Sequence, residues 1–272
     1  MDRLNPVGES LKGTLEGKAA LVTGAARGLG RAMALALADE GALLALCDRE
    51  GDELALLAEE LRSRGRSVVD VCLDLRDPDA VRAFVQAAVE GLGRLDVVIN
   101  NAGGTFAGEL VGLSDKGVGS LVDENFGSVV NVIRAVSAHL GEGASIINIT
   151  SVEAHRAAPG FAVYAAMKAA VESLTRSLAL ELGARGIRVN CIAPDAIVTE
   201  GMPVVPSGLP LAREGRADDV AAAALFLAGD GSAFITGDTL HVDGGEHCAG
   251  GWSRGEDGSF HLAGSVGGDS DG

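Results

Sequence analysis

Seven short apolar or β-branched runs recur along the chain, and a longer amphipathic stretch follows most of them. The runs are Ala19 to Thr23, Ala42 to Cys47, Ser67 to Leu73, Asp96 to Ile99, Ala144 to Thr150, Ile187 to Ala193 and Thr239 to Val242. Most are apolar nearly throughout instead of alternating with polar residues, so both faces of each strand must be covered, which is what parallel strands joined by helical crossovers require. The intervening segments predict helices over Gly28 to Glu40, Asp52 to Arg64, Pro78 to Glu90, Ser114 to Leu140, Gly160 to Ala184 and Ala217 to Ala228. The expected fold class is therefore α/β: a single doubly wound parallel sheet of about seven strands with helices on both faces.

The stretch LVTGAARGLGRAMALALADEG sets a buried strand, a turn with Gly24, Gly28 and Gly30, and a helix in immediate succession. Missing side chains let backbone approach a pyrophosphate, and the helix N-terminus offers free N–H groups and its positive dipole end. Leu29 and Arg27 lie inside the same turn. The second strand ends at Asp48, about twenty residues on, where a carboxylate can accept hydrogen bonds from an adenosine ribose. That carboxylate repels a 2′-phosphate and argues for NAD over NADP, whereas Arg27 and Arg49 could pair with such a phosphate or be solvated surface charges. After the third strand, Asp74 could accept from an adenine amino group or cap the next helix, and Leu75 could pack on the ring.

Composition narrows the function classes. With 22 basic and 38 acidic residues the net charge is -16, which repels nucleic acid and anionic membrane surfaces. No apolar stretch reaches membrane-spanning length, and the opening MDRLNPVGESLKG lacks the apolar run of a signal peptide, so a cytoplasmic location is expected. Cys47, Cys72, Cys191 and Cys248 form no CxxC pair and read as free, reduced thiols. The five histidines show no ligand spacing, so no metal site is expected.

The only tyrosine stands in FAVYAAMKAAVESL, with Lys168 four residues after Tyr164. On a helix these positions share a face. A phenol is a poor base at neutral pH, and a neighbouring ammonium or an oxidised nicotinamide would pull its pKa toward working pH. Ser151, closing the strand ASIINITS, is placed where parallel sheets bind ligands and can polarise a reacting oxygen.

These motifs occur in a telling order: TGAARGLG at 23–30, NNAG at 100–103, Asn125, Ser151, YAAMK at 164–168 and VDGG at 242–245. Over roughly residues 17–245 the chain resembles a short-chain dehydrogenase/reductase, a family with a Rossmann-like fold. The resemblance implies catalytic roles for Asn125, Ser151, Tyr164 and Lys168: Tyr164 as general acid/base, Ser151 as donor to the substrate oxygen, Lys168 on the nicotinamide ribose, and Asn125 holding a water in a proton relay. It also implies cofactor contacts from Asn101 and Gly103 after the fourth strand and from Ile197 and Thr199 near the nicotinamide carboxamide. The sequence departs from the family at APDAIVTEG, where Asp195 replaces a glycine.

The expected activity is NAD(H)-dependent interconversion of a secondary alcohol and a ketone. A segment EGMPVVPSGLPLAREGR, shorter than the family's usual substrate loop, suggests a bulky alicyclic or steroid-derived ring alcohol, free or carried as a coenzyme A thioester. The alternatives are an NADPH-dependent 3-oxoacyl-type reductase and a non-catalytic dinucleotide-binding sensor, the latter disfavoured by intact Ser151, Tyr164 and Lys168. Glu153, His155, Phe161, Val163, Gly104, Thr105, Met202 and Val204 are candidate pocket residues, and Arg134, Arg156, Arg213 or Arg254 could meet an acidic substrate. Residues 1–16 read as an extension and 246–272 as a Gly-rich, partly ordered arm, in which Trp252 and Phe260 favour docking over this or a neighbouring subunit. The apolar surfaces of the two longest helices suggest a homotetramer or homodimer.

Overall fold

The computed structural model describes residues 15–199, 208–255 and 257–262. In chain order the elements are β1 (Ala19–Thr23), α1 (Gly28–Asp39), β2 (Leu43–Asp48), α2 (Gly51–Ser63), β3 (Val68–Cys72), α3 (Pro78–Leu92), β4 (Leu95–Asn100), α4 (Asp115–Val122), α5 (Ser128–Val136), β5 (Leu140–Ile149), α6 (Ala162–Gly183), β6 (Arg188–Pro194), β7 (Ile197–Val198), β8 (Gly215–Arg216), α7 (Ala217–Ala228), β9 (Thr239–Val242), α8 (Glu246–Ala249), β10 (Trp252–Arg254) and β11 (Phe260–Leu262). The central sheet has seven strands in the order β3-β2-β1-β4-β5-β6-β9, every neighbouring pair parallel. The order reverses between β1 and β4, which opens a crevice beyond the strands' carboxyl ends.

Side-chain alternation along the strands divides the core. Ala20 and Val22 of β1, with Leu44 and Leu46 of β2, face α1, α2 and α7 through Met33, Leu37, Leu57 and Leu227. Leu21 of β1 and Val98 of β4 point to the other face, against Phe84 of α3, Val132 of α5 and Val171 of α6. A strand buried on both faces has no polar side to show, so its sequence reads as an unbroken apolar run.

Helix ends follow local chemistry. Asp77 caps α3, accepting from the N–H groups of Asp79 and Ala80 at 2.9 and 3.3 Å, with Pro78 fixing the first turn. Ser114 caps α4 by accepting from Gly117 N–H at 3.1 Å.

The single helix expected over Ser114 to Leu140 is instead two helices joined by a π-helical turn over Asp123–Gly127, and Leu140 already belongs to β5. The Ser128 hydroxyl donates to Glu124 O at 2.6 Å while the Ser128 N–H donates to Asp123 O, one residue further back. A side-chain donor thus takes the carbonyl an α-helix would use, and the ladder widens by one residue.

The described part of the arm after residue 245 touches its own chain, Arg254 N–H donating to Gly208 O at 2.9 Å, and just before it Leu211 N–H donates to Gly244 O at 2.9 Å. β10 and β11 pair antiparallel, with Trp252 opposite Leu262 and Arg254 opposite Phe260. Trp252 and Phe260 remain about half exposed, at 50% and 49%.

Candidate active site

A cleft of about 530 Å³ lies across the carboxyl ends of β1, β2, β3, β4, β5 and β6. At one end the glycine turn between β1 and α1 forms the floor. Gly24 has φ 63°, and a Cβ there would stand 2.9 Å from Ala102 Cα; a Cβ on Gly30 would stand 1.9 Å from Gly24 O. Only glycine permits both contacts. Asn101 clamps this turn from β4's end, its side-chain amide donating to Thr23 O at 3.0 Å and Gly24 O at 2.9 Å. Gly28, also with positive φ, opens α1, and Arg27 before it makes no side-chain cap, so the first-turn N–H groups are left for a ligand.

Asp48 is fixed at the tip of β2. Its carboxylate accepts from Ala26 N–H at 2.9 Å, Arg49 N–H at 2.7 Å and Glu50 N–H at 3.1 Å, which joins the glycine turn to the second strand. The two arginines offered for a 2′-phosphate have acidic neighbours: Arg49 pairs with Glu124, and Arg27 lies 4.0 Å from Glu50. Asp74 lines the cleft with its carboxylate forked by Arg76, which holds its carboxyl below the usual range. Asp77, and not Asp74, caps α3, and the Arg76 pairing is a feature the sequence reading missed. Leu75 lines the cleft beside it. Leu29, Gly103, Ile197 and Thr199 also line the cleft, and Thr199 Cβ would lie 3.9 Å from a Cβ on Gly28.

At the other end stand Ser151, after β5, and Tyr164 and Lys168 on α6. Ser151 and Tyr164 line this end together, close enough for the Ser151 hydroxyl to act on the Tyr164 phenol, while Ser151 Oγ accepts the Glu153 N–H at 3.2 Å. Lys168 is 5% exposed; its ammonium donates to Ile149 O at 3.0 Å and lies 5.5 Å from the tyrosine ring centroid. Burial pulls the Lys168 pKa down to about 8. Burial also pushes the Tyr164 phenol up, the nearby Ser151 hydroxyl opposing it and the Glu153 and Asp195 carboxylates adding to it. Within the chain, desolvation and the two carboxylates favour the neutral phenol, opposite in direction to the shift expected from the ammonium and an oxidised nicotinamide together.

Asn125 sits in the π turn, fully buried. Its amide nitrogen donates to Gly104 O at 2.8 Å and Leu121 O at 3.0 Å, while Oδ1 has no partner among the described residues. A Cβ on Gly103 would be 2.8 Å from this oxygen and 3.2 Å from Lys168 Nζ. A buried acceptor without a donor, beside an ammonium at the cleft, is what a bound water or ligand hydroxyl would satisfy. These residues fit a dinucleotide: glycine floor, uncapped helix start, ribose-level carboxylate and unfilled polar atoms beside the catalytic-end residues.

Of the other candidates, Gly104, Thr105, Glu153 and Phe161 line the cleft. Met202 and Val204 lie outside the described residues. Val163 does not line the cleft, and His155 is turned away from it: its Nε2 is 2.8 Å from Glu172 Oε1, and its ring packs against His241 and His247. The stacked His241 and His247 rings, 11° from parallel, cannot aim at one ion, and no metal-binding group occurs among the described residues. Arg156 and Arg213 are engaged by carboxylates, Arg156 by Glu153, Asp195 and Glu246, and Arg213 by Asp219. No helix among the described residues is long and apolar enough to cross a membrane.

Residues 24–247 match the family described as enoyl-(acyl carrier protein) reductase. The 3-oxoacyl-(acyl-carrier-protein) reductase FabG of Chlamydia trachomatis is 37% identical over 246 residues, covering 86% of this chain and 99% of its own. A short-chain dehydrogenase from Burkholderia cenocepacia, solved in complex with NADP, superposes with a TM-score of 0.80 at 35% identity, over 85% of this chain and 98% of that one. Carveol dehydrogenase from Mycobacterium avium, solved in complex with NAD, gives a TM-score of 0.80 at 33% identity, over 86% of this chain and 98% of that one.

Proposed function

The chain belongs to the short-chain dehydrogenase/reductase family of oxidoreductases, and from that premise we propose that it interconverts a secondary alcohol and a ketone with NAD(H), on a bulky alicyclic or steroid-derived ring substrate. The observation that carries the reading is the meeting of Ser151, Tyr164 and Lys168 at one end of the cleft, with Asn125 Oδ1 left without a partner among the described residues behind Gly103. The named activity and NAD complex of the carveol relative support the cyclic alcohol and the cofactor. The charge of Asp48 supports NAD independently, because a 2′-phosphate beside it would meet a carboxylate already committed to three backbone N–H groups.

A nicotinamide dinucleotide in this cleft supplies the hydride acceptor for oxidation or the donor for reduction. Gly24, Gly28, Leu29 and Gly30 present backbone to it, Arg27 borders its phosphates, Asp48 takes the ribose, Asp74 and Leu75 flank the adenine, and Asn101, Gly103, Ile197 and Thr199 border the remainder. Ser151 Oγ donates to the substrate oxygen and holds it against Tyr164 Oη. In oxidation, Tyr164 removes the hydroxyl proton as the carbinol carbon loses hydride; in reduction it returns that proton. Lys168 orients the ribose hydroxyls, and Asn125 Oδ1 holds the water through which the proton leaves.

A second reading, an NADPH-dependent 3-oxoacyl reductase, is favoured by the FabG relative. A screen of secondary alcohols of graded ring size against NAD and NADP separates the two. NADH formation with ring alcohols is expected; reduction of 3-oxoacyl thioesters with NADPH alone would overturn the proposal. A homotetramer or homodimer is part of the proposal, supported by Leu180, Phe226, Phe234 and Leu240, all exposed. Light scattering of the purified protein checks it, and a monomer would contradict it.

A further inference from the structure

The exposed cations that line the cleft, Arg27, Arg49 and Arg76, all stand at the dinucleotide end, each beside a carboxylate: Glu50, Glu124 and Asp74. At the end holding Ser151 and Tyr164, the charged lining residues besides buried Lys168 are Glu153 and Asp195. Arg156, behind them, donates to Glu153 Oε1 and Asp195 Oδ2 at 2.8 Å each through Nη2, and to Glu246 Oε1 at 3.2 Å through Nη1. Three carboxylates share one guanidinium, so the group keeps a negative excess, and three of the guanidinium's five donors are taken by these carboxylates. The cluster is not remote from the chemistry, since both lining carboxylates act on the Tyr164 hydroxyl. Asn125 Oδ1, buried without a partner among the described residues behind Gly103 of the cleft lining, independently marks this end as built for a ligand.

We propose that Glu153 and Asp195, locked by Arg156, are specificity-determining residues that reject substrates carrying phosphate or carboxylate near the reacting carbon. The inference rests on the oxidoreductase reading and deepens it: the substrate is an alcohol or ketone whose groups near the reacting carbon are uncharged or ammonium-bearing. An anion entering a partly dehydrated site against a fixed excess of like charge is repelled in both the ground state and the transition state, which lowers kcat/KM. The guanidinium that the sequence offered for an acidic substrate serves to position the wall that excludes one.

The test is the ketone-reducing activity of the full chain with NADH on three 4-substituted cyclohexanones of similar size: the methyl ester, the free carboxylate and the dimethylammonium compound. The ester and ammonium compounds are expected to exceed the carboxylate in kcat/KM by at least about tenfold at low ionic strength. The gap should narrow as salt rises, because exposed charges are screened over about 10 Å at 0.1 M. Glu153→Gln should narrow the gap and Arg156→Gln should widen it; opposite shifts from neighbouring variants cannot come from general loss of structure. Equal kcat/KM for ester and carboxylate, or a gap that neither variant moves, would overturn the inference and leave the oxidoreductase reading standing. Turnover of none of the three with NADH or NADPH would overturn both.

Discussion

Asp195 Oδ1 accepts the backbone N–H of Ala196 at 2.8 Å, and Ala196 is the one described non-glycine residue in the left-handed region, at φ 53°. The glycine lost from the family's Pro-Gly turn is therefore replaced by a pair, an alanine that takes the strained conformation and an aspartate that ties down its amide. Ala196→Gly is expected to stabilise the protein by about 0.5–1 kcal/mol, because relief of the left-handed cost exceeds the added freedom of the unfolded chain. Asp195→Ala should destabilise it by about 1 kcal/mol through loss of the cap. Chemical denaturation of the two variants checks both signs.

Cofactor choice turns on Asp48. The wild type is expected to prefer NADH to NADPH in kcat/KM, and Asp48→Asn should shift that ratio toward NADPH by on the order of tenfold while retaining an acceptor for Ala26 N–H. Steady-state kinetics with both cofactors measures it. An unchanged ratio would mean that Asp48 does not face the ribose.

Lys168 makes a pH prediction whose sign is opposite to that of an ion-paired lysine. Its pKa is about 8 in the folded protein, against about 10.4 when unfolded. Between those values the unfolded chain binds a proton that the folded protein does not, so stability rises with pH through this window. The rise is on the order of 2–3 kcal/mol. Denaturation midpoints across the window, compared with Lys168→Met, isolate it: the variant should lack the rise.

Much of the fold was legible because its signals are local. Ala19–Thr23, Thr239–Val242 and Ala217–Ala228 begin and end where apolar pattern places them, the first buried throughout and the last on one face. The π turn at Asn125 was not legible, because it depends on a serine hydroxyl reaching a carbonyl one turn back, which helical periodicity does not register. Tyr164, Lys168 and Ser151 could be brought together from spacing and strand-end position. Arg156 could not, because its partners Asp195 and Glu246 are 39 and 90 residues away and meet it only through the sheet order. The same holds for His155, which read as a candidate pocket residue and sits against Glu172.

Glu172 is the positioning residue that this contact identifies. It is 5% exposed, one turn past Lys168, and receives hydrogen bonds from Thr150 Oγ1 at 3.2 Å and His155 Nε2 at 2.8 Å, tying both flanks of Ser151 to the tyrosine helix. Glu172→Ala should lower kcat more than it raises KM, with a loss of stability of about 2 kcal/mol from unpaired donors. Glu172→Gln, which keeps an acceptor, should recover part of kcat. Equal recovery by alanine would reduce Glu172 to packing.

The most direct test of the account is the turnover number of Tyr164→Phe with a ring alcohol accepted by the wild type, measured together with NADH affinity by fluorescence titration. If the phenolic oxygen carries the proton, kcat falls by on the order of 10²–10⁴-fold while NADH binds within a few-fold of the wild type. A variant that binds NADH normally and turns over within about tenfold of the wild type would contradict the assignment of proton transfer to Tyr164.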